Sequence, residues 1–465
     1  MTFVCKSVNV MAHNLFKDFP QPSGEDWLNR IQKDLKGKEL DSLVSESPEG
    51  IRIQPVYTMD DLKPKGQAFR NQNNWNIVQE ILVIDTVQAN KLALYHLNQG
   101  ASALLFYLAP DTDLKALLKN ILIEHIAVHF ITNGNGATVA KQLNEVIHER
   151  KLDAASVYGS INIDFLENLA RTGNWFKSEE EDLRELKNLG ELTPPNIRPF
   201  CVNTNLFGHA GATLSQQLGI TLAMVYEYIY RLELKGAERF WLNTAIGSDY
   251  FGEIAKLRAL RNLWSQLLKE LELPEVSAQI YAETSLRNKT ILDAYNNMIR
   301  TSAETMAAGI GGCDEFSVKG FDQTFREPGS FGERIAKNQQ HILQHESHLG
   351  AVRDISAGAY FIEKLTEELA LKGWDFFKSI EARGGYLAAL QSGWLQDEVE
   401  AKASQEQTVF DQSQQVLIGA NKYRKKDENL KEIIEHGHFY KPHSDHTAVR
   451  PLKVKRLSEQ LEKDY

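Results

Sequence analysis

Leu104-Leu105-Phe106-Tyr107-Leu108, Ala127-Val128-His129-Phe130-Ile131-Thr132 and Ser156-Val157-Tyr158-Gly159-Ser160-Ile161-Asn162-Ile163 follow one another as short runs rich in β-branched and aromatic residues. Each has the length of a strand. Further runs of the same kind stand at 199–204, 239–246, 279–285, 315–319 and 351–355. Between the runs lie longer helical patterns at 114–121, 214–232 and 254–268; the last sets Ile254, Leu257, Arg258, Arg261 and Trp264 around two faces. Eight strands alternating with helices predict the α/β class, a parallel (β/α)8 TIM barrel. An open doubly wound sheet is the competing reading. Its glycine fingerprint is missing, because Asn133-Gly134-Asn135-Gly136 lacks the G-x-G-x-x-G spacing and reads as an ordinary βα loop.

The 465 residues are 42% hydrophobic and 25% charged, the usage of a globular protein, with a core large enough to fold unaided. Fifty-two basic against 62 acidic residues leave a charge of −10, which argues against a nucleic-acid groove. No apolar run reaches the roughly 18–20 residues of a membrane-spanning helix, so no membrane is expected. Cys5, Cys201 and Cys313 are too few and too scattered for a disulfide framework, which favours a reducing, cytoplasmic setting. The first ten residues are poor as a leader, and Met11 is a second candidate start.

Three regions are expected. Residues 1–60 read as an N-terminal arm that wraps a partner: Pro20, Pro22 and Gly24 break the chain, and Ser23 can cap a helix carrying Trp27, Ile31 and Leu35 on one face. The barrel follows over 61–395, and 396–465 is a helical or irregular C-terminal tail. Capping boxes are expected at Ser178 with Glu181 and at Ser330 with Glu333. The acidic run from Glu179 to Asp182 then complements a helix dipole and is no metal site.

Histidine spacing offers little chemistry. His341, His345 and His348 share a helical spacing, yet His345-Glu346-Ser347-His348 is not H-E-x-x-H. His125 and His129 are i, i+4, but His129 lies in a strand-like run. The tail residues His436, His438, His443, Asp445 and His446 read as a solvated segment. There is neither a G-x-S-x-G elbow nor a Walker lysine. No metal ligands and no catalytic residues are assigned.

A longer signature runs through the chain. Gly24-Glu25-Asp26-Trp27 is followed by Leu35-Lys36-Gly37-Lys38, Glu49-Gly50-Ile51 and Pro55-Val56-Tyr57-Thr58. Further on stand Glu253-Ile254-Ala255-Lys256-Leu257-Arg258-Ala259-Leu260-Arg261 and Tyr295-Asn296-Asn297-Met298-Ile299-Arg300-Thr301, the latter with residues 304–308. Ile335-Ala336-Lys337-Asn338-Gln339, Gly384-Gly385 and Asn421-Lys422-Tyr423-Arg424 complete it. In this order the set resembles the acyl-CoA mutase family, specifically methylmalonyl-CoA mutase, over residues of about 24 to 424. The resemblance implies a barrel whose interior is an acyl-CoA channel, with adenosylcobalamin held at its mouth by a second domain, and interconversion of methylmalonyl-CoA and succinyl-CoA through radicals. The cofactor supplies the radical; the protein orients the substrate and grips its carbonyl and carboxylate.

The sequence departs from that family where the chemistry would sit. Relatives place a tyrosine after an Ile-x-Gln segment; here Ile77-Val78-Gln79 is followed by Glu80. A tyrosine-histidine pair is replaced by Asn205 and Leu206, and leucine can donate no hydrogen bond to a thioester carbonyl. Ile-Gln-Asn-Asp becomes Ile161-Asn162-Ile163-Asp164, which shortens one polar arm. Glu283 puts a carboxylate where an amide is expected, on what counts as the sixth strand. No arginine between 165 and 198 falls in register to bind a carboxylate; Arg171 and Arg184 do not. His209 lies three residues from the lost histidine, and strand alternation would face it differently. The cobalamin signature D-x-H-x-x-G is absent, and the chain after residue 424 is short for a cobalamin-binding domain.

Glu80, Asn162, Asn205, Leu206, His209 and Glu283 are thus the positions of a vestigial pocket. The resemblance with these departures implies the small, non-catalytic subunit of a heterodimeric mutase. Its partner would be a homologous large catalytic subunit that holds the adenosylcobalamin, with no cofactor bound by this chain alone. Pairing of isolated chains as homodimers and weak binding of acyl-CoA are compatible with the sequence and left open by it. Two alternatives remain at this level: an active barrel served by a separate cobalamin-binding chain, or a silent acyl-CoA-binding scaffold.

Overall fold

A computed structural model describes residues 22–62, 70, 72–327, 329–425, 428, 434–435 and 447–463. Cys5, Met11, Pro20 and the tail residues His436, His438, His443, Asp445 and His446 lie outside the described residues. The chain divides into two compact units, Met1–Lys63 and Pro64–Tyr465.

In the first unit helix α1 spans Gly24–Asp34. Ser23 closes its amino end as expected: its hydroxyl accepts the Asp26 amide at 3.1 Å, while the Asp26 carboxylate accepts the Ser23 amide at 2.9 Å. No α1 residue is buried within the unit. A small antiparallel ribbon, β1 (Ser45–Glu46) with β2 (Arg52–Ile53), turns through the Glu49-Gly50 break.

Eight parallel strands of the second unit close into a barrel. In chain order they are β3 (Asn76–Leu82), β4 (Ala103–Tyr107), β5 (Ala127–Ile131), β6 (Tyr158–Ile163), β7 (Ile197–Asn203), β8 (Phe240–Ile246), β9 (Ile280–Thr284) and β10 (Glu315–Ser317). Helices return each strand to the next: α2 (Thr86–Asn98), α3 (Leu114–Leu117), α4 (Gly136–Glu149), α5 (Phe165–Thr172) and α6 (Glu179–Leu192), then α7 (Asn205–Ala210), α8 (Leu214–Leu232), α9 (Tyr250–Glu270) and α10 (Asn296–Gly311). After β10 come α11 (Ser330–His341), α12 (Tyr360–Glu381), α13 (Tyr386–Gln391) and α14 (Trp394–Asp411).

Seven of the eight expected strands are present, but the eighth, at 351–355, is turn and bend. The missing place is taken at the other end by β3, which pairs with β10 and closes the barrel. Gln79 and Glu80 interrupt the apolar run of β3, and that disguised it as sequence. Every strand number therefore moves up by one, and Glu283 stands on the seventh barrel strand.

Two glycines are required by close approach. Gly159 has φ +144°, and a Cβ there would lie 1.8 Å from the Val128 carbonyl oxygen on the neighbouring strand. Gly136 opens α4 after β5, where a Cβ would meet the Ile163 side chain at 2.4 Å. Gly136 thus serves helix-to-strand packing.

Other local expectations resolve individually. Ser178 accepts the Glu181 amide at 3.2 Å, and Asp182 is occupied by the Phe176 and Lys177 amides. Ser330 is the first helical residue and Gly329 the cap, so no capping box forms there with Glu333. The His341 and His345 rings stack at 5.7 Å, but His348 lies past the π-turn at Ile342–Glu346 with φ +53°, so the three do not form one helical row. Part of the tail is firmly held. Amides of Val449, Leu452 and Leu457 donate to carbonyls of Gly173, Ala170 and Arg287, and Glu462 is fully buried among Arg456, Ser458 and Thr290.

Candidate active site

Parallel strands put every second side chain inside the barrel. On β3 these are Asn76, Val78 and Glu80; on β4, Ala103, Leu105 and Tyr107; on β9, Tyr281 and Glu283. After β10 the same alternation carries Glu315, Ser317 and then Lys319, two residues past the strand. The interior is filled with side chains in layers.

The lower layer centres on Glu315. Trp241 Nε1 donates to its Oε2 at 2.9 Å, and His129 Nε2 lies 3.2 Å from Oε1. His129 Nδ1 meets Ser160 Oγ at 2.7 Å. The His129 ring stacks on Trp241 at 4.8 Å, and Trp241 leans on Tyr281 at 4.7 Å. Burial pushes the Glu315 carboxyl up, but His129, the Trp241 N–H and Arg198 outweigh it and hold the group at about 2. Around this layer Val78, Ala103, Leu105, Ala127 and Cys201 form an apolar collar.

At the carboxyl ends of the strands, where barrels of this kind carry their sites, a second cluster forms. Lys319 Nζ donates to both oxygens of Glu80 at 2.7 Å and lies 2.9 Å from Glu283 Oε2. Tyr281 and Tyr107 donate their hydroxyls to the two Glu80 oxygens at 2.9 and 3.1 Å. The Asn205 side chain lies beside the Glu283 carboxylate and lowers its pKa.

The electrostatics follow from that arrangement. Burial works against the Lys319 charge, yet Glu283 and Glu80 overcome it and hold the ammonium well above its ordinary value. Glu80 is likewise opposed by burial, but Lys319, Ser317 and Tyr281 bring it below the usual carboxylate range. Glu283 goes the other way: burial and the nearby Glu80 charge outweigh its single contact with Lys319, and its carboxyl is raised. Burial and the Glu80 charge push both tyrosine hydroxyls up, so they remain protonated donors.

Of the sequence-derived positions, Glu80, Asn205 and Glu283 are brought together, and Lys319 joins them. Asn162 faces the interior from β6, 4% exposed, with neither amide atom hydrogen-bonded to protein. Leu206 and His209 both lie on α7, three residues apart on a helix and so on one face. The expectation that strand alternation separates them is therefore corrected. His209 is nonetheless engaged: its Nε2 accepts the Leu286 amide at 3.3 Å, and burial, Lys319, Lys289 and Arg287 depress its pKa to about 3. Lys319, Tyr107, Trp241 and Glu315 were not singled out from sequence. Alternation from Glu315 through Ser317 to Lys319 was the available signal.

A cavity of about 510 Å³ opens beside this cluster, between β3, β10 and α11. Among the described residues no group of three or more His, Cys, Asp or Glu side chains is placed to hold a metal ion. Among the described residues no helix is long and apolar enough to cross a membrane.

The fold and the filled mouth define a (β/α)8 barrel with its polar groups gathered at the carboxyl ends of the strands. The chain belongs to the methylmalonyl-CoA mutase family: the family's sequence profile matches residues 107–464. It is similar to the methylmalonyl-CoA mutase small subunit of Porphyromonas gingivalis, 34% identical over 445 residues, covering 88% of this chain and 71% of that one. The small subunit of Streptomyces virginiae is 30% identical over 442 residues, covering 88% and 72%. The large subunit from the same organism is 26% identical over 493 residues, covering 94% and 66%.

Proposed function

We propose that this chain is the small, non-catalytic subunit of a heterodimeric adenosylcobalamin-dependent methylmalonyl-CoA mutase, working in the cytoplasm beside a homologous large subunit. The observation that carries this reading is the Lys319–Glu80–Glu283 cluster. A thioester carbonyl entering the mouth would need free donors, and a substrate carboxylate would need a free cation. The ammonium at Lys319 is committed to two carboxylates, the Tyr107 and Tyr281 hydroxyls to Glu80, and Leu206 donates nothing; the unengaged Asn162 amide is neutral and cannot replace the cation.

The residues at the mouth do not fit adenosylcobalamin either. Glu80 is an ion-paired carboxylate where the family places an aromatic side chain, and the His209 imidazole spends its Nε2 on a backbone amide. The cofactor of the complex is accordingly assigned to the partner. Relatives named as small and as large subunits support a two-chain assembly. The largely exposed helix α1, with Trp27, Ile31 and Leu35, is the segment assigned to wrap the partner.

Co-purification from the native cell with mass identification of the bound chain tests the reading. The expected result is a large mutase subunit, with turnover by the pair and neither turnover nor a cobalamin spectrum from this chain alone. Turnover by the isolated chain supplied with adenosylcobalamin overturns it.

A further inference from the structure

A second cavity, of about 390 Å³, lies on the carboxyl-end rim of the barrel and shares no lining residue with the one beside Glu80. Its floor begins where β8 ends: Gly247 and Ser248 follow Ile246 directly. One wall is the first turns of α10, with Ile299, Arg300 and Ala303, and the opposite wall is Phe410, Val416 and Ile418. Apolar walls with a few converging polar groups, in a cavity of this size, are the usual make-up of a small-molecule site.

Arg300 supplies the polar end. Its Nη1 donates to Asn297 Oδ1 at 2.7 Å and its Nη2 to the Ile418 carbonyl, and both acceptors are neutral. Glu304 also lines the cavity, but Lys289 Nζ binds both its oxygens at 2.7 and 2.8 Å and Asn288 Nδ2 adds a bond at 2.7 Å. Burial lowers the Arg300 pKa, with Glu304 and Asp293 only partly offsetting it, so the guanidinium is short of negative charge. The amides at the start of α10 are already bonded in turns, which leaves the guanidinium as the group able to recognise an anion. Asn296 and Ser248 stand at the same rim as further polar groups. At the entrance Ile299 is 71% exposed, and Val416 and Ile418 are each 43% exposed, an apolar margin that a hydrocarbon chain would cover.

We propose that this cavity binds a short-chain aliphatic carboxylate, its carboxylate on Arg300 and its chain against Ile299, Ala303, Val416 and Ile418. The site is independent of the barrel mouth and of the subunit assignment above. Binding of sodium hexanoate to the full chain, followed by calorimetry and thermal shift, tests it. Hexanoate is expected to bind at least about tenfold more tightly than 1-hexanol, because a charge-assisted pair contributes that much or more. Arg300→Lys, which keeps the charge and loses the planar fork, should weaken binding by about tenfold. Ala303→Trp fills the cavity from an exposed helix position and should abolish binding; Ala303→Leu is the milder variant should the tryptophan disturb folding. No heat and no thermal shift with hexanoate, equal affinity for hexanol, or undiminished binding by a folded Ala303 variant each overturns the proposal.

Discussion

Lys319 Nζ stands 2.7 Å from both carboxylate oxygens of Glu80, across the seam where β10 and β3 close the barrel. One residue lies two positions past the last barrel strand and the other on the first, so the pair joins the two ends of the barrel in space. It also places a buried cation where a substrate group would have to enter.

Lys319→Met should therefore be costly. It leaves Glu80 and Glu283 buried beside each other without a counter-charge, a change of about 3–5 kcal/mol for a broken buried pair. Denaturant unfolding at neutral pH should show the loss, and it should shrink as the pH falls and the carboxylates take up protons. Combining Lys319→Met with Glu80→Gln and Glu283→Gln should recover most of the stability. An unaltered midpoint in the single variant would contradict the ion-pair account.

His209 should make its own contribution to the acid limb of stability. Its folded pKa of about 3 lies below the ordinary 6.5, so the unfolded chain binds the proton more readily between those values. Stability from this group is thus fully present above about pH 6.5 and is lost as the pH falls towards about 3. His209→Gln keeps an acceptor for the Leu286 amide and should flatten the stability-against-pH curve across that window. A slope identical to wild type would remove His209 from the explanation.

Gly159→Ala should disrupt the barrel wall between β5 and β6. The added methyl would lie 1.8 Å from the Val128 oxygen, against strand backbone that cannot yield cheaply. A loss of about 4 kcal/mol or more, or insoluble expression, is expected, since large values come from steric and backbone strain of this kind. Gly329→Ala, where an added Cβ meets no atom within 4 Å and φ is −79°, serves as the mild control.

Restoring the family's residues at two positions should not restore chemistry. Glu80→Tyr with Leu206→His, assayed with adenosylcobalamin and a separate cobalamin-binding chain, should give no turnover, because Lys319 and Glu283 still occupy the mouth. Measurable mutase activity in that double variant would favour the active-barrel alternative.

Glu462 locks the described end of the tail. Arg456 donates to both its oxygens, while Ser458 and Thr290 donate to Oε1 at 2.6 and 2.8 Å, all buried. Glu462→Ala removes the carboxylate from beside the buried Arg456 guanidinium and should cost about 3–5 kcal/mol. Limited proteolysis should then cut within residues 447–463 at protease levels that spare the wild type.

Composition and local pattern determined much of this protein. Seven strands, the long helices at 214–232 and 254–268 and the Ser23 cap were legible because short-range periodicity and capping depend on neighbours in the chain. The family signature was legible for the same reason: its motifs survive as contiguous residues. β3 was missed because Glu80, a charged residue facing the barrel interior, and Gln79, its polar neighbour on the outer face, break the apolar run that marks a strand, and the run at 351–355 matched the pattern without a partner strand. Glu80, Asn205 and Glu283 were recognised one at a time as departures. What joins them is Lys319, 239 residues from Glu80 in sequence and in contact with it only because the sheet closes. The same holds for His209, whose relation to Leu206 depends on a short helix and whose pKa depends on three cations from distant loops. Barrel closure decided that the mouth is filled, because charge pairing across a closed sheet is a property of tertiary contacts.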